Sequence, residues 1–315
     1  MSPVVVILLL ASALFAWNMG SHYSGAVMGM AYGSRALTVK QATGLAAVFA
    51  FLGTVVASSG VVHTYAFSIV GSATPIQLAS ALLGASVAIL VSTTLRLPAS
   101  TIQVYTFSLL FVGAVSGVKL LYTGIYLVLS MWVLLPVAAM LLAYVLAPVV
   151  SRRFTGEGNG LRKTILVASL FSSFSLGSND ISNAISSLVK LNVLTGIGPF
   201  VFGGCFLALG LVTWGQRLIR RIGNEVVKVD PPLAAAVQLT QAATIITGNL
   251  MGYNASINQT IVASLYGAKH STKSPVAAPR IFRSIALNWI VSLLISATFS
   301  LFFLFILSLA FGSIR

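Results

Sequence analysis

What this chain is short of is charge, and above all negative charge. Among its 315 residues are 18 Lys and Arg and only 4 Asp and Glu. A soluble globular chain carries roughly 25% charged residues, against 7% here. With 57% hydrophobic residues and a mean hydropathy of +0.99, too little polar surface is left to keep the chain in water. That excludes a soluble enzyme, a nucleic-acid-binding protein and a disordered scaffold. A pI near 10.4 does not argue for nucleic acid, because the basic residues fall in clusters between apolar segments and form no stripe on a polar face. A single cysteine, Cys205, excludes a disulfide framework and any Cys-based metal site. It lies in the apolar run 202–207 and reads as a small packing residue. The opening stretch Met1–Trp17 is apolar and contains Ala11-Ser12-Ala13, yet it lacks a basic start and continues into a Gly- and Ser-rich helical segment. It reads as a first membrane segment, not as a cleaved leader. The expected class is an all-α integral membrane protein.

A spanning helix needs about 20 apolar residues. Apolar stretches fall at 3–33, 42–59, 76–95, 101–118 and 123–147, then at 164–190, 198–213, 232–251, 256–268 and 285–311. Several are short or interrupted, so half-helices and re-entrant pieces are expected among these five plus five segments. Basic clusters sit at Arg152, Arg153, Arg162 and Lys163, at Arg217, Arg220, Arg221 and Lys228, at Lys269, Lys273, Arg280 and Arg283, and at Arg35 and Lys40. Placing all of them in the cytoplasm leaves both termini outside, with the basic-free loops 60–75 and 191–197 facing out. Five segments per half then force the second half to run opposite to the first. The sequence also repeats itself: Asn18 matches Asn179 at an offset of 161, and Ala99-Ser100-Thr101-Ile102-Gln103 matches Ala255-Ser256-Ile257-Asn258-Gln259 at 156. Similar offsets argue for internal duplication, and inverted repeats are a plan of secondary transporters. The expected organisation is a first transmembrane repeat at 1–147, a cytoplasmic linker at 148–163 and a second, inverted repeat at 164–315.

Three of the four acids, Glu157, Glu225 and Asp230, lie in the linker and a loop. Asp180 alone lies inside an apolar segment, where a carboxylate costs about 2.5–3.5 kcal/mol. A bound cation, a proton or a hydrogen-bonded helix break would each offset that cost. Ser178, Asn179, Ser182 and Asn183 surround it, too many polar groups for a lipid-facing helix. Elsewhere Pro98 breaks a helical pattern, so Ser100 and Thr101 are placed to cap the half-helix that follows. Tyr253-Asn254-Ala255-Ser256 does the same in the other half. Exposed N–H groups at such termini bind anions, and two facing termini would cradle a small oxyanion; plain capping of kinked helices is the blander alternative. Two glycosylation sequons at Asn254 and Asn258 fall at membrane depth and are discounted. Gly25, Gly29 and Gly33 form a small-residue packing face. His22, beside the first expected break, is a candidate proton carrier. Arg96 and Lys119 read as snorkelling ends, and Lys190 either snorkels or draws anions to the outer mouth.

Gly177-Ser178-Asn179-Asp180-Ile181-Ser182-Asn183-Ala184 resembles the GANDVANA signature of the inorganic phosphate transporter (PiT) family. Trp17-Asn18 with Tyr32-Gly33-Ser34-Arg35-Ala36-Leu37-Thr38 resembles its first copy and the GSGALT continuation. The resemblance implies inverted repeats, ion-coupled symport and an oxyanion near the two signatures and the two helix breaks. Carried onto this sequence, those positions are Asn18, Ser100, Thr101, Gln103, Asn179, Asn183, Ser256 and Gln259 for the anion. Asp180 and His22 are the candidates for the coupling ion or proton, with sodium at Asn179, Asp180 and Asn183 as one form of it. In that alignment Met19 replaces the first copy's Asp and His22 its second Asn, which resembles the bacterial sulfate permease branch.

Chemistry leans the same way. Phosphate near neutral pH can donate a hydrogen bond to a carboxylate, whereas sulfate cannot and would be repelled by a second buried acid. The expected function is secondary-active symport of a tetrahedral oxyanion, sulfate favoured, coupled to protons or sodium. Proton- or sodium-coupled phosphate transport is the alternative, and a passive anion channel a further one. No HExxH motif, second buried acid or nucleophile–base pair suggests an enzyme. The expected partners are sulfate or phosphate and the lipid bilayer of the cell membrane, with no nucleic acid and no cofactor beyond the coupling ion; a homodimer is left open.

Overall fold

A computed structural model describes residues 1–95, 97–154, 158–226, 230–273 and 279–312, with the backbone alone at 222–226 and 279–286. Arg96, Glu157 and Lys228, expected at loops, lie outside the described residues, as do the side chains of Glu225, Arg280 and Arg283. The helices, in chain order, are α1 (Pro3–Gly33), α2 (Val39–Ala57), α3 (Ser59–Phe67), α4 (Pro75–Thr94), α5 (Thr101–Val115) and α6 (Tyr122–Arg153). They continue as α7 (Asn159–Lys190), α8 (Gly198–Thr213), α9 (Gly215–Val226), α10 (Pro231–Leu250), α11 (Ile257–Ser271) and α12 (Pro279–Phe311). Local chemistry starts several of them. Thr38 and Gln41 close a reciprocal capping box on α2, and Thr74 and Gln77 close another on α4, where Pro75 occupies the first turn.

The second six helices repeat the first six in order and approximate length: 31 and 32 residues for α1 and α7, 20 each for α4 and α10, 15 each for α5 and α11, 32 and 33 for α6 and α12. Their packing exchanges partners between halves. α1 lies against α8 and α9 as α7 lies against α2 and α3, and α12 covers α4 and α5 as α6 covers α10 and α11. Where α1 and α7 cross the other half, the interlocking is closest at four glycines. A Cβ on Gly20 would strike the carbonyl oxygen of Leu207, and one on Gly210 that of Trp17. Likewise, a Cβ on Gly177 would strike the carbonyl oxygen of Ala50, and one on Gly53 that of Phe174. No side chain fits where two backbones touch. Hydroxyls fasten the same crossings, with Ser21 Oγ donating to the Gly210 carbonyl at 3.3 Å and Thr54 Oγ1 to the Gly177 carbonyl at 3.2 Å.

Both long first helices of the halves end in one turn form. Arg35 (φ 58°) and Asn192 (φ 51°) are left-handed, and the residues after them, Ala36 and Val193, donate back to Ala31 and Leu188.

Several expectations change. The loop expected at 60–75 contains α3, and helix runs into both ends of the expected linker 148–163. Among the described residues five helices are long and apolar enough to cross a membrane: Pro3–Gly33, Val39–Ala57, Pro75–Thr94, Tyr122–Arg153 and Leu287–Phe311. The pair Gly198–Thr213 and Gly215–Arg221 passes only together, across a 54° bend. α7 and α10, which carry many buried polar groups, are not in that set, and α5 and α11 are short. Cys205 is exposed on the outside of α8, not packed within. Lys190 is spoken for: its Nζ donates to the carbonyls of Ala66 at 2.6 Å and Val70 at 3.0 Å, closing the end of α3, and rests 5.6 Å from the Phe67 ring.

Candidate functional site

The two helix breaks lie where the sequence placed them. After α4 the chain runs extended through Pro98 and Ala99 to Ser100, whose side chain caps α5 by accepting from the Gln103 N–H. After α10 it turns through Gly252 (φ 81°) to Ser256, which caps α11 from the Gln259 N–H. Both capping serines are buried. The first N–H groups of each helix, including those of Ile102, Ile257 and Asn258, have no intrahelical acceptor.

α7 brings the acid to these caps without breaking. Of the three ways of offsetting the buried carboxylate, a helix break is absent: α7 is continuous from Asn159 to Lys190, and α1 likewise from Pro3 to Gly33. Side chains do the accommodating instead. Asn179 Oδ1 accepts from the Ala255 N–H at 2.9 Å while its Nδ2 donates to the Ala255 carbonyl at 2.8 Å, pinning the chain just before α11. Asp180, fully buried, accepts from Thr101 Oγ1 at 2.6 Å and from Asn179 Nδ2 at 2.9 Å, both neutral donors.

α1 performs the matching task on the other break. Thr93 Oγ1 gives its proton to the Ile89 carbonyl, so His22 Nδ1 is the donor in its 2.8 Å contact with Thr93. Its Nε2 faces the backbone of Ala99, 3.1 Å from the carbonyl oxygen and 3.3 Å from the amide nitrogen, and in that tautomer accepts from the N–H. His22 therefore holds Ala99 as Asn179 holds Ala255. Tyr23, the next residue, accepts from the Thr101 N–H at 3.2 Å and lies 3.3 Å from Thr101 Oγ1. Because Thr101 donates to Asp180, a relay runs from the Tyr23 hydroxyl through Thr101 to the carboxylate. Asn258 crosses between the breaks, its Nδ2 donating to the Ala99 carbonyl at 2.6 Å.

This geometry corrects the register of the first signature. Gly20 and Gly177 occupy equivalent crossings 157 positions apart, as do Gly53 and Gly210. His22 therefore corresponds to Asn179 and Tyr23 to Asp180, one helical turn away from the pairing of Asn18 with Asn179 and Met19 with Asp180. Asn18 does not reach the caps; its Nδ2 donates to the Ser86 carbonyl on α4. His22, expected beside a break as a proton carrier, sits mid-helix with both ring nitrogens engaged as a brace.

The remaining expected residues are nearby but differently occupied. Asn183 is buried, with Oδ1 accepting from Asn254 Nδ2 at 3.4 Å and its own Nδ2 unpartnered. Asn254 also accepts from the Tyr65 hydroxyl at 3.0 Å. Gln259 has a buried Oε1 without a partner, and Gln103 contributes its backbone N–H to the Ser100 cap. Tyr23, Asn254 and Asn258 were not singled out as site residues in the sequence. The doublet Gly20-Ser21, repeated as Gly177-Ser178, was the available signal for Tyr23.

The sequence profile of the Phosphate transporter family matches residues 19–168 and 157–300, which together take in most of the chain. The chain belongs to the phosphate transporter family. Within the family it is similar to the sulfate permease CysP of Bacillus subtilis, 29% identical over 307 residues, 93% of this chain and 85% of that one. It is also similar to human sodium-dependent phosphate transporter 1, 29% identical over 146 residues, though this covers only 43% of the chain and 22% of the human protein. A solved structure titled the sodium-dependent phosphate transporter superposes with a TM-score of 0.88 over 98% of this chain and all of that chain, at 19% identity. As a phosphate transporter family member with this helical architecture, the chain is a multi-pass membrane transporter of the phosphate and sulfate type and not a catalyst.

Proposed function

We propose that this transporter is a symporter that carries a tetrahedral oxyanion, sulfate in preference to phosphate, together with a monovalent cation held at Asp180. The observation that carries the reading is the asymmetry of the two braces. One half presents a carboxylate to the caps and the other, at the equivalent position, presents the Tyr23 hydroxyl. A doubly charged anion unable to donate a hydrogen bond is better tolerated beside one carboxylate than beside two. Likeness to the sulfate permease over nearly the whole chain supports the same choice.

In this reading the anion lies between the α5 and α11 caps, taken up by Ser100, Thr101, Ser256 and first-turn N–H groups. Asn183 Nδ2 is a further donor, while Gln103 and Gln259 flank it. Asn179 and His22 hold the two caps in place. The cation offsets the buried charge of Asp180 so that the loaded carrier can reorient. The paired helix order and exchanged packing support two repeats of opposite orientation, with the basic loops in the cytoplasm and both termini outside.

Uptake of labelled sulfate and labelled phosphate into proteoliposomes, under an imposed proton or sodium gradient, tests this. Sulfate accumulation that follows one gradient is the expected result. Sodium-driven phosphate accumulation would reverse the anion preference, and flux indifferent to both gradients would replace the symporter by a channel.

A further inference from the structure

The seam between α7 and α10 carries a polar file that neither the anion nor the caps use. Ser169, Ser172, Ser175 and Ser178 recur every third residue on α7, facing Gln238, Gln241 and Asn249 on α10, and all seven are buried. Ser169 Oγ donates to Gln238 Oε1 at 3.3 Å, Ser172 Oγ to Gln241 Oε1 at 2.6 Å and Asn249 Nδ2 to Ser178 Oγ at 2.7 Å, while Gln241 Nε2 reaches Ser175 Oγ at 3.5 Å. At the upper end Ser178 stands two residues before Asp180, and the Oδ1 of Asn249 is buried without a partner. At the lower end Gln238 Nε2 donates to the Val27 carbonyl at 2.6 Å. From Ser169 to Ser178 the file covers about 14 Å of α7 at 1.5 Å per residue, all of it on the linker side of Asp180.

The matching seam, between α1 and α4, is crossed by fewer polar contacts: Asn18 Nδ2 donates to the Ser86 carbonyl and His22 Nδ1 to Thr93 Oγ1. At the equivalent positions stand Ser12, Phe15, Asn18 and Ser21 on α1, with Leu82, Ala85 and Thr93 on α4. Phe15, Leu82 and Ala85 fill that seam without exposing an oxygen, and all three are buried. Packing two such helices therefore does not require Ser172 or the two glutamines. Of the two seams, the one that ends beside the carboxylate is the one with glutamines paired to serines along its length.

We propose that this file is the inner leg of the route taken by the coupling cation between Asp180 and the cytoplasm, a proposal that rests on Asp180 being the cation site. A hard monovalent cation is best held by oxygen ligands, and the file supplies hydroxyl and amide oxygens along its length. It carries no fixed charge, so a cation leaving the carboxylate meets ligands that can replace its water without trapping it. The unpartnered Asn249 oxygen is the first of these. When α10 draws away from α7, the hydrogen-bonded pairs separate and their oxygens face the opening.

The test separates cation release from transport as a whole. Wild-type protein, Ser172→Ala and Gln241→Leu are reconstituted into proteoliposomes. Net uptake of labelled sulfate is measured under an inward sodium gradient at equal pH, and under an inward proton gradient without sodium. Exchange of internal for external sulfate is measured with the same cation at equal, saturating level on both sides, where the cation need not be released. Net uptake is expected to fall roughly tenfold, the size of losing one buried polar partner, while exchange stays within about twofold, and Ser172→Thr and Gln241→Asn are expected to recover net uptake. The gradient that drives wild type names the cation. Parallel loss of uptake and exchange, or no loss of either, would overturn the route and leave the file as helix-to-helix glue. Indifference of the wild-type protein to both gradients would overturn the symport reading itself, a failure visible before any variant is compared.

Discussion

At the scale of single residues, the site is a set of side chains that tie down backbone. Asn179 and His22 each hold the alanine just before a half-helix, and Asp180 and Tyr23 meet at Thr101. Asp180→Asn keeps the shape and the Thr101 contact but removes the charge. Accumulation against a gradient is expected to collapse while sulfate exchange persists; concentrative uptake equal to wild type would refute the coupling role. Tyr23→Phe removes one hydroxyl from Thr101 and is expected to cost about 1 kcal/mol, read as a severalfold weaker apparent affinity for the anion. That Asp180 would sit buried among polar partners was legible in the sequence, because an isolated carboxylate in an apolar run has few structural explanations. The role of Tyr23 was not. Trp17-Asn18 resembles the polar signature more closely than Gly20-Ser21 does, and yet the register is set by glycines at backbone contacts, which composition does not reveal.

Helices repeat that lesson. Pro98 and the Tyr253–Ser256 stretch mark real breaks, since a missing N–H and a left-handed Gly252 cannot continue a helix. The Ser- and Asn-rich middle of α7 looks equally disruptive but stays helical. Its polar side chains find partners on α10 and in the chain before α11, so its own backbone ladder is never challenged. Where a segment's polar groups go is a tertiary matter, invisible along one chain. Two stability expectations belong here. Ser256→Ala deletes a buried cap and is expected to cost about 1 kcal/mol, seen as a lower midpoint in thermal unfolding in detergent. Gly177→Val drives a side chain into the Ala50 carbonyl and is expected to cost at least as much as a typical overpacked core, about 1–3 kcal/mol. A midpoint unchanged by Gly177→Val would mean that the α7–α2 crossing is looser than described.

For the molecule as a whole, the proposed inversion makes a sharp statement about sidedness. With Cys205 replaced by serine, Asn192→Cys is expected to react with a membrane-impermeant maleimide added outside intact cells, and Arg35→Cys only after the membrane is opened. The reverse pattern would invert the orientation assigned from the basic loops. Arg35 and Asn192 occupy the same left-handed turn, 157 residues apart, with nearly the same φ and the same returning hydrogen bonds. Backbone geometry alone would accept asparagine at both, and more readily than arginine. In the proposed orientation the guanidinium stands only on the turn that stays on the ribosome's side while the nascent chain is threaded into the bilayer. Exchanging the two residues should leave the finished fold intact yet weaken the retention signal that sets the first hairpin, so that part of the newly made protein is inserted upside down.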